Sequence, residues 1–184
     1  MNRCGWCESD DLYRKYHDEE WGTPLHDDRK LFEFLVLESA QAGLSWLTVL
    51  KKRENYRRAY DDFDFEKVAR YDEKKIDSLL QDPGIIRNRR KVESSINNAQ
   101  RFLEIRREFE SFDRYIWGFV GGRPCVGHYR EISELPVSTE LSGRISRNLK
   151  QRGFRFLGPV IVYSFLQAVG IVDDHIESCF RKSR

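Results

Sequence analysis

Glu38 lies seven residues after Leu31, four after Phe34 and three after Leu35. At helical spacing that puts a carboxylate on the apolar stripe of a helix. Burying a carboxylate costs several kcal/mol unless it is paired or put to use. Tyr13, Tyr16, Trp21 and Trp46 crowd the same stretch of chain. An acid among flat rings suits a planar, polar, cationic ligand, with rings stacking and the carboxylate accepting hydrogen bonds. The competing expectation is a Glu at a helix end that reaches solvent or caps the next helix, because Gln41 and Gly43 stop the helix within a turn.

A second set of residues has metal-ligand chemistry. His175 and Cys179 are four apart, so on a helix they share a face and form half of a tetrahedral zinc site. Cys4, Cys7, His17 and His26 lie near the other terminus, and two of them could complete the set. Four protein ligands leave no open position, so such a zinc would be structural, closing a very long loop. The plainer expectation is buried cysteine and surface histidine.

The third set is DPGIIRNRRK, Asp82 to Lys91. Pro83 and Gly84 break one amphipathic helix, Ile85 and Ile86 anchor the turn, and the next helix opens beside Arg87, Arg89, Arg90 and Lys91. Gly84 is expected to supply unusual backbone angles and a close approach to a ligand. Free amides at a helix N-terminus together with basic side chains make a phosphate site.

The elements that must position these residues are helical. Periodicity predicts helices over 27–40, over 45–60, a short one over 66–71, one capped by Asp72 that ends at Asp82-Pro83-Gly84, and a long one from about Arg89 to Glu108 with Val92, Ile96, Ala99 and Leu103 on one face. Further helices run from a Ser138 or Thr139 cap to Gly153, and from Pro159 to Ala168. The last is a short helix capped by Asp173 or Asp174 and reaching Cys179. Strand-like alternation is nearly absent, so the fold class is all-α.

Composition narrows the partners. The 184 residues carry 24 aromatics (12 Phe, 8 Tyr, 4 Trp), which argues against disorder, and one domain is expected. Net charge is only +2, but five basic residues and no acid lie between Ser142 and Arg155, and seven basic residues face two acids between Ile85 and Arg107. Such stripes are the footprint of a polyanion site, although long basic helices also have plain solvated faces. No apolar run approaches the roughly 18 residues of a membrane span, and the opening MNRCGWCESDD has no apolar core of a secretory signal. A cytoplasmic protein with no disulfide framework and no membrane partner is expected.

The segments RCGW (Arg3–Trp6), YHDEEWG (Tyr16–Gly22), ESAQAGLSWLTVLKKRENYR (Glu38–Arg57), GIIRNRRK (Gly84–Lys91) and RGFRFLGPVIVYSFLQAVGIVDDH (Arg152–His175), with Cys179, resemble the 3-methyladenine DNA glycosylase I family over nearly the whole chain. The resemblance implies an all-helical member of the helix–hairpin–helix glycosylase superfamily. The helix–hairpin–helix element would lie at about 73–108, within a single domain spanning 1–184. One structural zinc would be held by Cys4, His17, His175 and Cys179, joining segments at about 1–20 and 173–184. Glu38 would grip an extruded base, Tyr16 and Trp46 would stack on it, and Tyr13, Trp6 and Trp21 would shape the pocket. The Gly43-Leu44 turn would fill the gap left in the duplex, and the hairpin from Gly84 would hold the backbone. The implied partner is double-stranded alkylated DNA, the product free 3-methyladenine, and the protein a monomer. The superfamily's usual catalytic aspartate is not expected here: the stretch after the hairpin offers Glu104 and Glu108, with no Asp before Asp113. Two rivals share some of these residues. One is a non-enzymatic, zinc-stapled DNA-binding module, which needs no aromatic pocket. The other is a zinc hydrolase, which needs an open coordination position.

Overall fold

A computed structural model describes residues 2–183. Ten α-helices are present among them: α1 (Asp11–Glu19), α2 (Asp28–Gln41), α3 (Trp46–Leu50), α4 (Arg53–Ala59), α5 (Phe65–Val68), α6 (Glu73–Gln81), α7 (Arg89–Phe109), α8 (Phe112–Gly118), α9 (Glu140–Gln151) and α10 (Pro159–Ala168). Two two-residue strands, β1 (Cys125–Val126) and β2 (Val172–Asp173), pair in parallel.

Side chains written into the sequence start the helices. Asp10, Asp27, Ser45, Asp64, Asp72, Asn88 and Ser111 each accept a backbone N–H of the helix they precede, satisfying one of the donors a helix leaves open at its N-terminus. α2 is the central element. Every residue from Leu31 to Ala40 is buried, because α3, α7, α8 and α10 pack around it. A helix enclosed on all sides has no solvent face to receive a charge. The two acids within this buried stretch therefore need explanations, and they receive different ones. Glu33 takes ion pairs from Arg53 (2.5 Å) and Arg57 (2.8 Å), whereas Glu38 Oε2 has no hydrogen-bond partner among the described residues.

Three expectations fail for identifiable reasons. The helix over 45–60 is two helices. The Lys52 amide bonds back to Val49 in a tightened turn, after which Arg53 swings toward Glu33 and Glu20. On α7 it is Phe102 that is fully buried, with Leu103 at the margin. No helix follows Asp173. Asp173 accepts the His175 amide and ring Nδ1, the Glu177 amide bonds to the Tyr129 carbonyl, and the Cys179 amide bonds to Ile176. An Asp bonding two residues on can start a helix, as Asp10 does, but the Glu177 amide that would bond back to Asp173 goes to the Tyr129 carbonyl instead, so no helical ladder follows.

Candidate active site

Glu38 projects from the last turns of α2 into a cavity of about 180 Å³ lined by Trp6, Tyr13, Tyr16, Gln41 and Trp46 among others. The residue is only 2% exposed, so the expectation that it reaches solvent is set aside. Burial pushes its carboxyl well above the usual range, because the charged form has lost its water.

The walls are built by short stretches of chain. Trp6 sits on the 3₁₀ turn Gly5–Cys7, Tyr13 and Tyr16 on α1, Trp21 just beyond it, and Trp46 at the first residue of α3. Trp6 packs on Tyr13 at 4.7 Å and edge-on to Trp21 at 5.1 Å. Tyr16 and Trp46 lie 5.5 Å apart at 51°. They form a wedge, not two parallel plates roughly 7 Å apart, which is twice the carbon contact distance that a base between them would require. A planar ligand stacks on either face as the rings stand.

Six buried side-chain polar atoms lack a hydrogen-bond partner among the described residues. Three of them line this one cavity: Glu38 Oε2, Gln41 Oε1 and Trp46 Nε1. Each unpaired buried group costs about 1–3 kcal/mol. Such a concentration in an aromatic cavity describes a site built for a ligand with both donors and acceptors on its edge.

Behind the aromatic wall lie Cys4, His17 and Cys179, with ligand atoms all within 4.8 Å of one another. Cys179 Sγ stands 3.5 Å from His17 Nε2, close to the roughly 3.6 Å expected between a sulfur and a nitrogen on one tetrahedral zinc. His175 stands outside that group of three but beside it, its ring 5.0 Å from that of His17, and its buried Nε2 is another of the unpartnered atoms. Both imidazoles have Nδ1 fixed on a carboxylate, Asp18 at 2.8 Å for His17 and Asp173 at 2.7 Å for His175. That arrangement leaves Nε2 of each ring as the lone-pair nitrogen, as metal-binding histidines require; His175 Nε2 is unpartnered, and His17 Nε2 accepts a long bond from the Cys4 amide (3.4 Å). Arg3 in turn holds Asp18 with Nε and Nη2. Two thiols and two imidazoles fit a closed zinc site. Cys7, although buried, points elsewhere and donates to the Cys4 carbonyl. His26 stacks on Trp117 and bonds Asp113. His175 and Cys179 sit on irregular chain, so tertiary contacts bring them together where a shared helical face was expected.

The turn between α2 and α3 carries Gly43 in the left-handed region (φ +81°) and Leu44, 40% exposed. The hairpin 82–88 joins α6 to α7 as the sequence predicts. Gly84, however, has no left-handed backbone angle. Its need is space: a Cβ there would lie 2.9 Å from Asn55 Cβ. The four basic residues of the hairpin divide. Arg87 and Arg90 are exposed. Arg89 is engaged by Glu73, Asp77 and Glu93, and Lys91 turns inward to the Ala40 and Ala42 carbonyls.

Comparison with known proteins decides the family. Residues 6–182 match the model of the methyladenine glycosylase family. The DNA-3-methyladenine glycosylase 1 of Escherichia coli K12 is 50% identical over 179 residues, covering 97% of this chain and 96% of that one. A crystal structure of 3-methyladenine DNA glycosylase I superposes with a TM-score of 0.96 at 47% identity, covering 99% of this chain and all of the other. The Staphylococcus aureus 3-methyladenine DNA glycosylase I, whose structure addresses 3-methyladenine recognition, gives 0.96 at 43% identity over 100% and 98% of the two chains. The chain belongs to the methyladenine glycosylase family.

Within this family member, sequence reasoning missed part of the pocket. Gln41 stood out only as a helix terminator, and Leu135, Ser164 and Gln167 were not singled out although they complete the lining. Ser164 and Gln167 are three apart on α10, a spacing that could have flagged a polar face on an otherwise apolar helix. Gln167 donates to Asp174, which also takes the Tyr163 hydroxyl. The two aspartates of the Asp173-Asp174 pair thus serve different neighbours, one the His175 ring and one the pocket wall.

Gly22 links cluster and pocket. It follows Trp21 with φ +73°, and a Cβ on it would lie 2.6 Å from His175 Cε1. Gly22→Ala combines a left-handed alanine, costing about 1–2 kcal/mol, with overpacking of about 1–3 kcal/mol. The expected result is a melting temperature lower by about 5–10 °C, read by calorimetry.

Proposed function

We propose that this protein excises 3-methyladenine from double-stranded alkylated DNA by hydrolysing the N-glycosidic bond, leaving an abasic site and free 3-methyladenine. The observation that carries this reading is the unpartnered Glu38 carboxyl, buried in an aromatic cavity beside two further unpaired polar atoms. A non-enzymatic DNA-binding module has no use for such a pocket.

A base inside a duplex must be swung out to be reached, at a cost of a few kcal/mol. In this proposal α6, the hairpin and α7 form a helix–hairpin–helix element that seats on the DNA backbone. Gly84 and the hairpin amides, with Arg87 and Arg90, contact phosphate, and Arg89 does so only by releasing its ion pairs. Leu44, carried on Gly43, fills the gap in the stack. The extruded purine stacks on Tyr16 and Trp46, with Trp6, Tyr13 and Trp21 as walls. Gln41 Oε1 and Trp46 Nε1 are an acceptor and a donor for its edge.

N3-methylation makes the base a cation and a good leaving group, so little chemistry is asked of the protein. Glu38 accepts hydrogen bonds from the cationic base and stabilises the oxocarbenium-like sugar that develops as the bond breaks. Water then attacks the sugar carbon. In this reading no aspartate after the hairpin activates the water: the acids that first follow it are engaged, Glu104 with Arg101, Glu108 with Arg152, and Asp113 with His26. Excision is accordingly confined to labile, charged lesions.

One zinc held by Cys4, His17, His175 and Cys179 would be structural, its four ligands leaving no place for a reacting water. We read the chain as one domain acting as a monomer; its ends, Met1 and Arg184, lie outside the described residues. No helix of the described residues is long and apolar enough to cross a membrane. Chromatography of bases released from methylated duplex DNA tests the reading. Free 3-methyladenine is the expected peak, and binding to undamaged duplex with no base released would refute it.

A further inference from the structure

Lys91 belongs by sequence to the basic hairpin, but by structure to the end of α2. Its Nζ donates to the Ala40 carbonyl at 2.8 Å and to the Ala42 carbonyl at 2.7 Å. The last carbonyls of a helix have no partner within it, and a cation there also meets the negative end of the helix dipole. Burial lowers the Lys91 pKa, as expected for an ammonium taken out of water. The same few residues of α2 carry Glu38 and Gln41, and the Gly43-Leu44 turn follows directly. The Asn88 side chain accepts the Lys91 amide, so the backbone that carries this lysine is fixed by the hairpin's own cap.

From this geometry we infer that Lys91 is a positioning residue that ties the phosphate-gripping hairpin to the Gly43-Leu44 turn. Seating on the backbone and presenting Leu44 to the duplex then become one rigid movement. The inference rests on the reading of the protein as a base-extruding glycosylase. It reassigns Lys91 from phosphate contact to the alignment of the wedge. The pocket is left intact, because the Glu38 turn stays enclosed by its own helix neighbours.

The test uses the full chain with Lys91→Met and Lys91→Arg. Three quantities are read: single-turnover release of 3-methyladenine from methylated duplex, the salt dependence of binding to a duplex with a stable abasic analogue, and free 3-methyladenine binding by tryptophan fluorescence. Lys91→Met is expected to slow release by about 10-fold or more, since small misplacements near a reacting centre cost that much. Its salt slope stays at the wild-type value, and free-base affinity stays within about threefold. A phosphate ligand behaves differently: its loss lowers the slope by about one, which is the result expected of Arg90→Ala. Lys91→Arg keeps the charge but replaces a compact ammonium with a longer, planar fork of different reach, and is expected to lose rate with an unchanged slope. A slope reduced by about one in Lys91→Met, or a wild-type release rate in either variant, overturns the assignment. If Lys91→Met fails to fold, shown by lost free-base binding, Lys91→Arg alone decides between the same two outcomes. Absence of release by the wild-type protein would instead overturn the glycosylase reading, so the two failures are told apart.

Discussion

Glu38→Gln reduces release of 3-methyladenine from duplex DNA by about 100-fold or more, and at neutral pH it makes the protein more stable. The first effect follows from removing the group placed where positive charge gathers. Loss of one preorganised electrostatic partner in a water-excluded site costs about 10²–10³ in rate, and Glu38 is the only acid among the described residues that line this cavity. The second follows from linkage. The folded Glu38 carboxyl titrates well above its ordinary 4.5, so between those two values the folded state holds a proton that the unfolded state has lost. Stability then falls as pH rises through that window. A glutamine has no charge to desolvate and escapes the penalty. We expect a gain on the order of 1 kcal/mol, or roughly 2–4 °C at this chain length, shrinking to nothing below pH 4.5. The same titration predicts that kcat/KM of the native protein rises with pH through the raised Glu38 pKa, since the cationic base competes with a proton for the carboxylate. The glutamine variant shows no such rise. Base chromatography under single turnover, with calorimetry at pH 4 and pH 7, measures all three. Unchanged release would remove Glu38 from the mechanism.

If the Cys4, His17, His175 and Cys179 cluster holds zinc as proposed, chelation is expected to destabilise the protein and blunt the pocket together. Structural zinc contributes roughly 10 kcal/mol or more in small peptides that have little else. Here a large core persists without it, so several kcal/mol and a melting temperature lower by about 10 °C are expected on chelation. The pocket suffers because it shares its wall with the cluster. Trp6 is two residues from Cys4 and its ring lies 5.4 Å from His17; Tyr16 adjoins His17; and Trp21 packs at 4.6 Å on His175. Free 3-methyladenine should therefore bind more weakly at temperatures where the chelated protein is still folded. Cys4→Ala and Cys179→Ala should reproduce both losses, while Cys7→Ala, whose thiol serves only the Cys4 carbonyl, should not. Metal analysis of the purified protein, with melting and fluorescence titration before and after chelation, is the measurement. A protein free of bound zinc, with full stability and base binding, would exclude the cluster as a metal site.

Local pattern sufficed wherever the question was which face of a helix is apolar. The spacing of Leu31, Phe34, Leu35 and Glu38 put the carboxylate on the apolar stripe but left it one turn from the helix end, where solvent was within reach; the packing of α3, α7, α8 and α10 around α2 enclosed it. Asp72, the Pro83-Gly84 break and the run from Arg89 fixed two helices and a hairpin, because caps and breakers act on backbone amides one turn away. The proposed ligands Cys4 and His17 are visible in the sequence only as residue types, among several, and it is the family motifs that single them out. What a polar side chain bonds to was decided elsewhere. Arg89 and Lys91 read alike in sequence, yet one meets three acids and the other two carbonyls from a helix some 50 residues earlier in the chain. The chain after Asp173 leaves the helical path because the Glu177 amide is taken by the carbonyl of Tyr129, some 50 residues earlier. Gln41 matters because its buried Oε1 meets no donor among the described residues. Hydrophobic period is carried by neighbours along the chain, whereas hydrogen-bond partnership depends on groups brought within 3 Å by the packing of distant elements, and only the assembled core sets that distance.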